Sequence, residues 1–167
     1  MNNYQKKFSE QLAKVKTIEQ LRKEDEIVDR MFKVTDYVYS HDADTIGETL
    51  LVRMGGSLTS IYAYLGQKSA RTRAERDIAE NILEQQKKAL ELAYINDGTG
   101  YKVTEARAKA SEDLAEENNE LVILEANKNQ IETLADACKT TIMFIQSMLA
   151  IKKAEMHTSR QLNDNQG

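Results

Sequence analysis

The 167-residue sequence contains no proline and no tryptophan, and it has only 7 glycines and one cysteine. Proline and glycine disfavour helix interiors most strongly, so their scarcity predicts long helices with few interruptions. A single cysteine excludes an internal disulfide framework. Because Cys138 falls on an apolar helical stripe, we interpret it as a buried thiol and not as a nucleophile.

Basic residues are outnumbered by acidic ones, since the sequence has 23 Lys and Arg residues and 27 Asp and Glu residues and its net charge is -4. Nucleic-acid-binding domains are usually basic, so any such binding would need a segregated basic patch. No apolar run approaches the roughly 20 residues that span a bilayer. The first twenty residues lack a signal-peptide pattern. We therefore expect a cytoplasmic protein without membrane contact.

Motifs for catalysis and metal binding are missing as well. The sequence has no G-x-x-x-x-G-K-[ST] loop, and no serine, cysteine or lysine stands beside a recognisable base. His41, Asp42 and Asp44 lie close together, but turn formation and helix capping explain the two aspartates. A zinc site needs three or four converging ligands, which this sequence does not offer. We expect a protein that is not an enzyme and that uses no metal and no cofactor.

Apolar residues at three- and four-residue spacing predict an all-α fold. Residues 1–40 are predicted to form an N-terminal helical arm, as one helix or two abutting helices, with a capping box of the Thr-x-x-Gln type at Thr17. Residues 44–161 are predicted to form a long antiparallel helical hairpin that turns at Asn96–Gly100. Residues 162–167 are expected to be a disordered tail.

The last helix, predicted over Thr104–Gln161, carries two apolar seams side by side with coiled-coil spacing. One antiparallel neighbour covers one seam, so the second needs a further neighbour from this chain or from another copy. On the second seam, Phe144, Met148 and Ile151 have no evident cover. We therefore predict a coiled-coil-like homo-oligomer. Its predicted interface consists of Leu134, Ile142, Phe144, Ile145, Met148, Leu149 and Ile151.

A basic cluster, defined as Lys68, Arg71, Arg73 and Arg76, interrupts the apolar pattern. Its neighbours are small residues, which leaves the charged groups accessible to the phosphates of a nucleic acid. The alternative is a solvated helix face with acidic partners on the opposing arm, such as Glu125 and Glu132. Charge runs more often indicate a solvated face, so this alternative carries more weight.

Short motifs on both sides of the predicted turn are shared with one known family. They comprise Gln85–Lys88 before the turn, and Asp136-x-Cys138, Ile145-x-Ser147 and Ala150–Lys152 in the terminal helix. In these motifs the last half of the chain resembles the UvsY-type recombination mediators of phages. Those are small helical proteins without enzymatic activity that form rings and bind single-stranded DNA. They help to load a RecA-like recombinase onto strands covered by single-strand-binding protein.

The resemblance implies a phage-type recombination or replication accessory protein, acting in the host cytoplasm. Its partners would be single-stranded DNA and either a recombinase or a single-strand-binding protein. The family's basic DNA-contacting positions before the turn correspond here to Leu90–Leu92, so the resemblance implies a shift of those contacts to Lys87 and Lys88 or to the basic cluster.

A second function remains open from the sequence. It is a helical protein-interaction module, such as an inhibitor, an adaptor or an assembly component, without nucleic-acid binding. The acidic composition favours this module. The resemblance and the segregation of charge along the chain favour the accessory protein.

Overall fold

The computed structural model describes residues 15–97 and 101–164, with side chains described as far as Thr158. Within these ranges the backbone forms five α-helices, one short 3-10 helix and no strand, which confirms the all-α prediction. The first fourteen residues of the predicted arm, three residues of the predicted turn and the last three of the predicted tail lie outside the described residues. The helices are α1 Ile18–Glu24, α2 Glu26–Ser40, α3 Glu48–Asn96, α4 Val103–Asp113 and α5 Ala115–Asp164, with the 3-10 helix at Ala43–Thr45.

The N-terminus of α1 is fixed by the predicted capping box. The Thr17 hydroxyl accepts a hydrogen bond from the Gln20 amide at 3.2 Å, and the Gln20 side chain accepts one from the Thr17 amide at 2.8 Å. Two backbone donors that have no partner inside the helix are thereby satisfied. The capping-box prediction is confirmed.

Helices α1 and α2 abut at Asp25, which serves both. Its amide donates to the Leu21 carbonyl and ends α1, while its carboxylate accepts hydrogen bonds from the Ile27 and Val28 amides and begins α2. Aspartate is among the residues that cap helix N-termini best. The sequence predicts a helix start at Thr17 but no boundary at Asp25, so the predicted segment from Thr17 to Ser40 is divided into two helices.

Helix α3 runs without a break through Gly55 and Gly56, where the undisturbed periodicity predicts a kink or a close contact between helices. A Cβ atom at Gly55 would lie 3.6 Å from Cγ2 of Ile145, whereas one at Gly56 would meet nothing within 4 Å. Gly55 therefore lies at a close contact with α5, and Gly56 faces open space.

The predicted continuous terminal helix is divided at Leu114. This residue has φ −99° and ψ 21°, although its amide still donates to the Ala110 carbonyl at 3.2 Å. Its own carbonyl accepts both the backbone amide of Asn118 at 3.0 Å and the Asn118 side chain at 2.9 Å. The helix is distorted over this one residue and continues as α5.

The chain divides into two compact units. The first, here called the core unit, combines Thr17–Gln67 with the chain from Ile131 onward. The second, here called the charged unit, contains Lys68–Gln130. Helices α3 and α5 each contribute one part to each unit.

In the core unit, α2, α3 and α5 pack around one apolar core. The hydroxyls of Thr35 on α2 and Thr141 on α5 lie 3.5 Å apart, and Cys138 Sγ on α5 donates to the Leu58 carbonyl on α3 at 3.3 Å. Burial of large aliphatic side chains is the main stabilising contribution here. Side chains that are almost fully buried include Val28, Met31, Val38, Ile46, Leu51, Leu58, Leu65, Leu134, Cys138 and Ile145.

The charged unit has a much smaller core. Among its described residues the buried apolar side chains are Leu83, Ala106, Ala110 and Leu114. Alanine removes little apolar area from water, so the two alanines contribute less to stability than leucines would. Ion pairs add contacts between the helices of this unit.

By length and composition alone, one stretch of α5, Ala115–Thr158, is apolar enough to cross a membrane, with a mean hydropathy of 1.2 over its best window. One side of this stretch contacts α2 and α3 through Thr141 and Cys138. The core helix of a soluble protein meets the same criterion, so this stretch carries no information on location.

Candidate interaction surfaces

Arg76 of the basic cluster is held by carboxylates of its own chain. Its Nη1 lies 2.9 Å from Asp77 Oδ1 and 2.7 Å from Glu80 Oε2, and its Nε lies 3.2 Å from Glu125 Oε2 on α5. The hydrogen bond to Asp77, with the charges of Glu80 and Glu125, raises the pKa of Arg76. The Nε–Glu125 contact is an ion pair without hydrogen-bond geometry. The predicted contact between the basic cluster and Glu125 is thus confirmed.

The other three members of the basic cluster also have neighbours in the chain. Arg71 lies 3.0 Å from Glu75, with 83% of its side chain exposed. Arg73 is exposed and Lys68 is half-buried, and both interact with further groups of the chain. The cluster is therefore a mixed-charge helix face, on which Arg71 retains a solvent-accessible guanidinium group.

Lys87 and Lys88 lie about three turns beyond the cluster on α3. Lys88 is exposed and Lys87 is half-buried, and no carboxylate in the described part of the chain forms an ion pair with either. One turn later, Glu91 pairs with Arg107 of α4 at 3.4 Å. The two lysines are candidate DNA contacts whose charge is not neutralised by a described neighbour.

Tyr62, Tyr64 and Tyr94 are candidates for stacking on bases, although tyrosines at helical spacing more often belong to the core. Two of their hydroxyls bind carboxylates. Tyr64 donates its hydroxyl to Asp25 at 2.8 Å. Tyr94 donates its hydroxyl to Asp113, which raises the pKa of Tyr94 and lowers the pKa of Asp113. The third candidate, Tyr62, has 39% of its surface exposed. Hydroxyls anchored inside the fold are typical of structural tyrosines.

The exposed side of α5 between Lys139 and Lys153, here called the terminal face, carries large apolar side chains. Met143 is 58% exposed, Phe144 39% and Ile151 57%. The Phe144 ring stacks on Tyr39 of α2 with centroids 5.1 Å apart, so its position is fixed from one side. Lys139 and Lys153 are exposed along the edge of this face and form no described ion pair.

Two of the seven predicted interface residues, Phe144 and Ile151, belong to the terminal face. The expectation that Met148 lacks cover is wrong, because it is only 3% exposed and belongs to the core of its own chain. The α2 helix packs beside this part of α5, which a stripe in the sequence of one helix cannot reveal. The remaining interface candidates are buried or half-buried within the core unit: Leu134, Ile142, Ile145 and Leu149.

An acidic segment, defined as residues 112–120, occupies the end of α4 and the start of α5. Glu112 lies 3.5 Å from Lys109, whereas Glu117 and Glu120 are exposed and form no ion pair among the described residues. Carboxylates one turn apart on a helix repel one another. Beside them, Val122 is 66% exposed.

Neither a reactive thiol nor a metal cluster is found among the described residues. Burial raises the pKa of the Cys138 thiol to about 11, which keeps it protonated at neutral pH. His41, a candidate metal ligand by sequence, contacts the Tyr37 carbonyl and the Ser40 hydroxyl through Nδ1 and stacks on the Tyr37 ring. No group of three or more His, Cys, Asp or Glu side chains converges in the part of the chain that the structure describes.

Comparison with protein-family models, with curated proteins and with solved structures finds no match to this chain.

Proposed function

We propose that this is a non-enzymatic helical protein that works by assembling with copies of itself and with a protein partner. The observation that carries this proposal is the terminal face, where Met143, Phe144 and Ile151 are exposed on a helix whose other side forms the core. Several large apolar side chains exposed on one side of a helix mark an interaction surface more often than a single one does. The neutralised Arg76 favours this interaction module over a phosphate-binding role for the basic cluster.

The proposed assembly unit is a long antiparallel, coiled-coil-like helical hairpin of α3 against α4 and α5. Two ion pairs of the charged unit support it: Arg76 pairs with Glu125, and Glu91 pairs with Arg107. In an antiparallel hairpin, a residue close to the turn on one arm pairs with a residue close to the turn on the other arm. Glu91 and Arg107 are both closer to the turn than Arg76 and Glu125, as this arrangement requires.

Self-association is tested with the variant Phe144→Glu/Ile151→Glu. Two carboxylates on the terminal face would have to lose their water in the interface, so the variant should sediment as a smaller species than the wild type. Val52→Glu is the matched control, because Val52 is also 56% exposed in the core unit but lies on α3. Both variants should retain the helical circular dichroism of the wild type. A wild type that is monomeric at tens of micromolar would remove the proposal.

A second candidate function is the recombination accessory role that the resemblance implies. Exposed Arg71 and Lys88 support it, since both side chains are accessible to a phosphate. In that role the assembly would repeat the basic positions along one strand of single-stranded DNA, which raises avidity without new contacts. The protein partner would be a recombinase or a single-strand-binding protein.

Fluorescence anisotropy with a labelled oligonucleotide separates the two candidate functions. If DNA binds, log affinity should fall linearly with log salt between about 50 and about 200 mM. Arg71→Ala/Lys88→Ala should flatten that slope by about 1.4, which corresponds to two lost phosphate contacts on a single strand. Lys23→Ala/Arg53→Ala removes the same charge elsewhere and serves as the control. No binding at low salt would leave the interaction module as the function.

A further inference from the structure

We propose that residues 1–14 bind to their own chain, on the side of the charged unit where α3 and α5 present Ile82 and Ile123. The occupant of this surface is thus a segment of the chain that precedes the described residues. The inference goes beyond the proposed function, since self-association through the terminal face uses the core unit. It follows from the point at which the described chain begins, from its direction and from the apolar side chains within reach.

The described chain begins next to α5 of the charged unit. The backbone amide of Lys16 donates to the side-chain oxygen of Asn127 at 3.0 Å, and Val15 before it is half-buried. Residues 1–14 therefore start from a fixed point on α5. As a helix they would be about 21 Å long at 1.5 Å per residue, which is enough to reach back along α5 to the level of Asp113.

The direction of the arm is the same as that of α5. In the core unit, the hydroxyl of Thr35 on α2 lies 3.5 Å from that of Thr141, and the ring of Tyr39 stacks on Phe144. Later residues of α2 thus lie beside later residues of α5. The same order, applied at the start of the described chain, directs residues 1–14 along the part of α5 that belongs to the charged unit.

Apolar side chains lie on the matching sides of both long helices. Ile82 stands 18 residues after Tyr64 on α3, and Ile123 stands 18 residues before Thr141 on α5. Eighteen residues make five full turns of an α-helix, so each isoleucine lies on the same side of its helix as the earlier or later residue named with it. Tyr64 bonds to the residue that caps α2, and Thr141 contacts α2 itself. On this side Ile82 is 51% exposed, Ile78 one turn earlier is 60% exposed, and Ile123 is half-buried.

The sequence before Lys16 offers an apolar stripe for this surface. Its large apolar side chains recur every three or four residues, as on one face of a helix. They are Tyr4, Phe8, Leu12 and Val15. Counted back from the contact of Lys16 with Asn127, Leu12 comes level with Ile123 on α5. Docking would remove the apolar stripe and the two isoleucines Ile82 and Ile123 from water together, which is the driving force of the contact.

Net charge favours this occupant over a second copy of the charged unit. Residues 1–14 contain three lysines and one glutamate, whereas the acidic segment of α4 and α5 contains five carboxylates and no cation. A second copy would bring two acidic segments towards one another, and like charges across an interface cost free energy. Salt screens the attraction between opposite net charges, so charge adds to the apolar contact without replacing it.

Native-state hydrogen exchange of the full chain tests this docking. In the wild type, the amides of residues 6–12 should exchange about tenfold more slowly than in an unfolded chain, or slower still, because docking keeps their helix closed. Phe8→Glu should abolish this protection, since a carboxylate would have to lose its water in the contact. Ala13→Glu adds the same charge away from the apolar stripe and should keep the protection.

A second pair of variants tests the surface on α3. Ile82→Glu should release residues 1–14 and return their amides to the exchange rate of an unfolded chain. Leu92→Glu is the matched control, because Leu92 is 60% exposed on the same helix but lies ten residues closer to the turn. Both variants should keep the helical circular dichroism of the wild type, since neither side chain is buried.

Three outcomes would overturn the inference. They are unprotected amides of residues 6–12 in the wild type, protection that survives both Phe8→Glu and Ile82→Glu, and protection that rises with protein concentration. The last would assign the surface to the same segment of a neighbouring copy, since binding within one chain does not depend on concentration. None of these outcomes removes self-association through the terminal face, which Phe144→Glu/Ile151→Glu tests separately.

Discussion

The core unit and the charged unit are built from the same two long helices, but they bury very different side chains. The core unit closes over leucine, isoleucine, valine and methionine from α2, α3 and α5. The charged unit buries mainly alanine and two leucines, and its helices are joined by ion pairs and a tyrosine–carboxylate hydrogen bond. Exposed ion pairs contribute little, whereas buried aliphatic side chains contribute kilocalories each. Stability should therefore be concentrated in the core unit.

The largest effect is expected from removing a core leucine. Leu58 is fully buried in the core unit, so Leu58→Ala should lower the free energy of unfolding by about 2–5 kcal/mol. Leu83→Ala in the charged unit should cost less than half as much, since it deletes the same atoms where few large side chains pack. Urea unfolding followed by circular dichroism measures both. Equal losses would contradict the contrast between the units.

Next in size is the protection of the Cys138 thiol. Burial raises its pKa from 9.0 to about 11, so at pH 8 it should hold about 100-fold less thiolate and react correspondingly slowly with a disulfide reagent. A cysteine placed at exposed Asn119, in a Cys138→Ser background, should react at the rate of a free thiol.

The same pKa shift predicts how stability depends on pH. Because the folded-state pKa lies above the unfolded value, the contribution of Cys138 is complete below pH 9 and is lost as the pH rises towards 11. Thermal melts of the wild type between pH 8 and 11 measure this loss.

The reactivity experiment on the Cys138 thiol has its own contrary outcome. Equal reactivity of the thiol in the native and unfolded protein would show that α5 is open at Cys138.

The glycine pair of α3 gives a smaller effect and a sharper comparison. Gly55→Ala and Gly56→Ala should each stabilise the helix by up to about 1 kcal/mol, since both sites accept a Cβ without a clash. Gly55→Leu should instead destabilise by about 1–3 kcal/mol, because it overpacks the contact with Ile145, while Gly56→Leu should not. Thermal melts of the four variants measure these differences. Similar effects of the two leucine variants would mean that α3 and α5 are farther apart at Gly55.

The smallest effect is expected from the ion pairs of the charged unit. Arg76→Ala should lower the free energy of unfolding only slightly although it removes contacts with three carboxylates, because its side chain is 30% exposed and water screens them. Arg71→Ala, which removes one exposed pair, should change stability by a few tenths of a kilocalorie per mole. A loss of several kilocalories per mole in Arg76→Ala would move the main stabilising contacts into the charged unit.

Local sequence signals predict most of the secondary structure. The absence of proline leads to long helices, and the capping box at Thr17 and the polar residues after Asn96 mark a start and an end that the structure contains. Each of these depends on residues within one turn of one another. The helix junction at Asp25 also depends on a local contact, since the Asp25 side chain caps α2, but it is not among the predicted boundaries.

The sequence does not reveal the break at Leu114, since no glycine or proline stands there. The other features that it does not reveal depend on contacts between distant segments. Met148 is covered because it belongs to the core cluster that several helices of its own chain form. Only some predicted surface residues are accessible for the same reason: Phe144 and Ile151 remain exposed, while Arg76 is engaged by Glu125 from another helix.

Native-state hydrogen exchange tests the contrast between the units most directly. Amides of α2 from Val28 to Val38 should exchange only through global unfolding, because their side chains pack in the core unit. Amides of α4 from Ala106 to Ala110 should be protected about 100-fold less, through local opening of the charged unit. Equal protection of α2 and α4 would show that the ion-paired unit is as stable as the core unit, which would contradict this account.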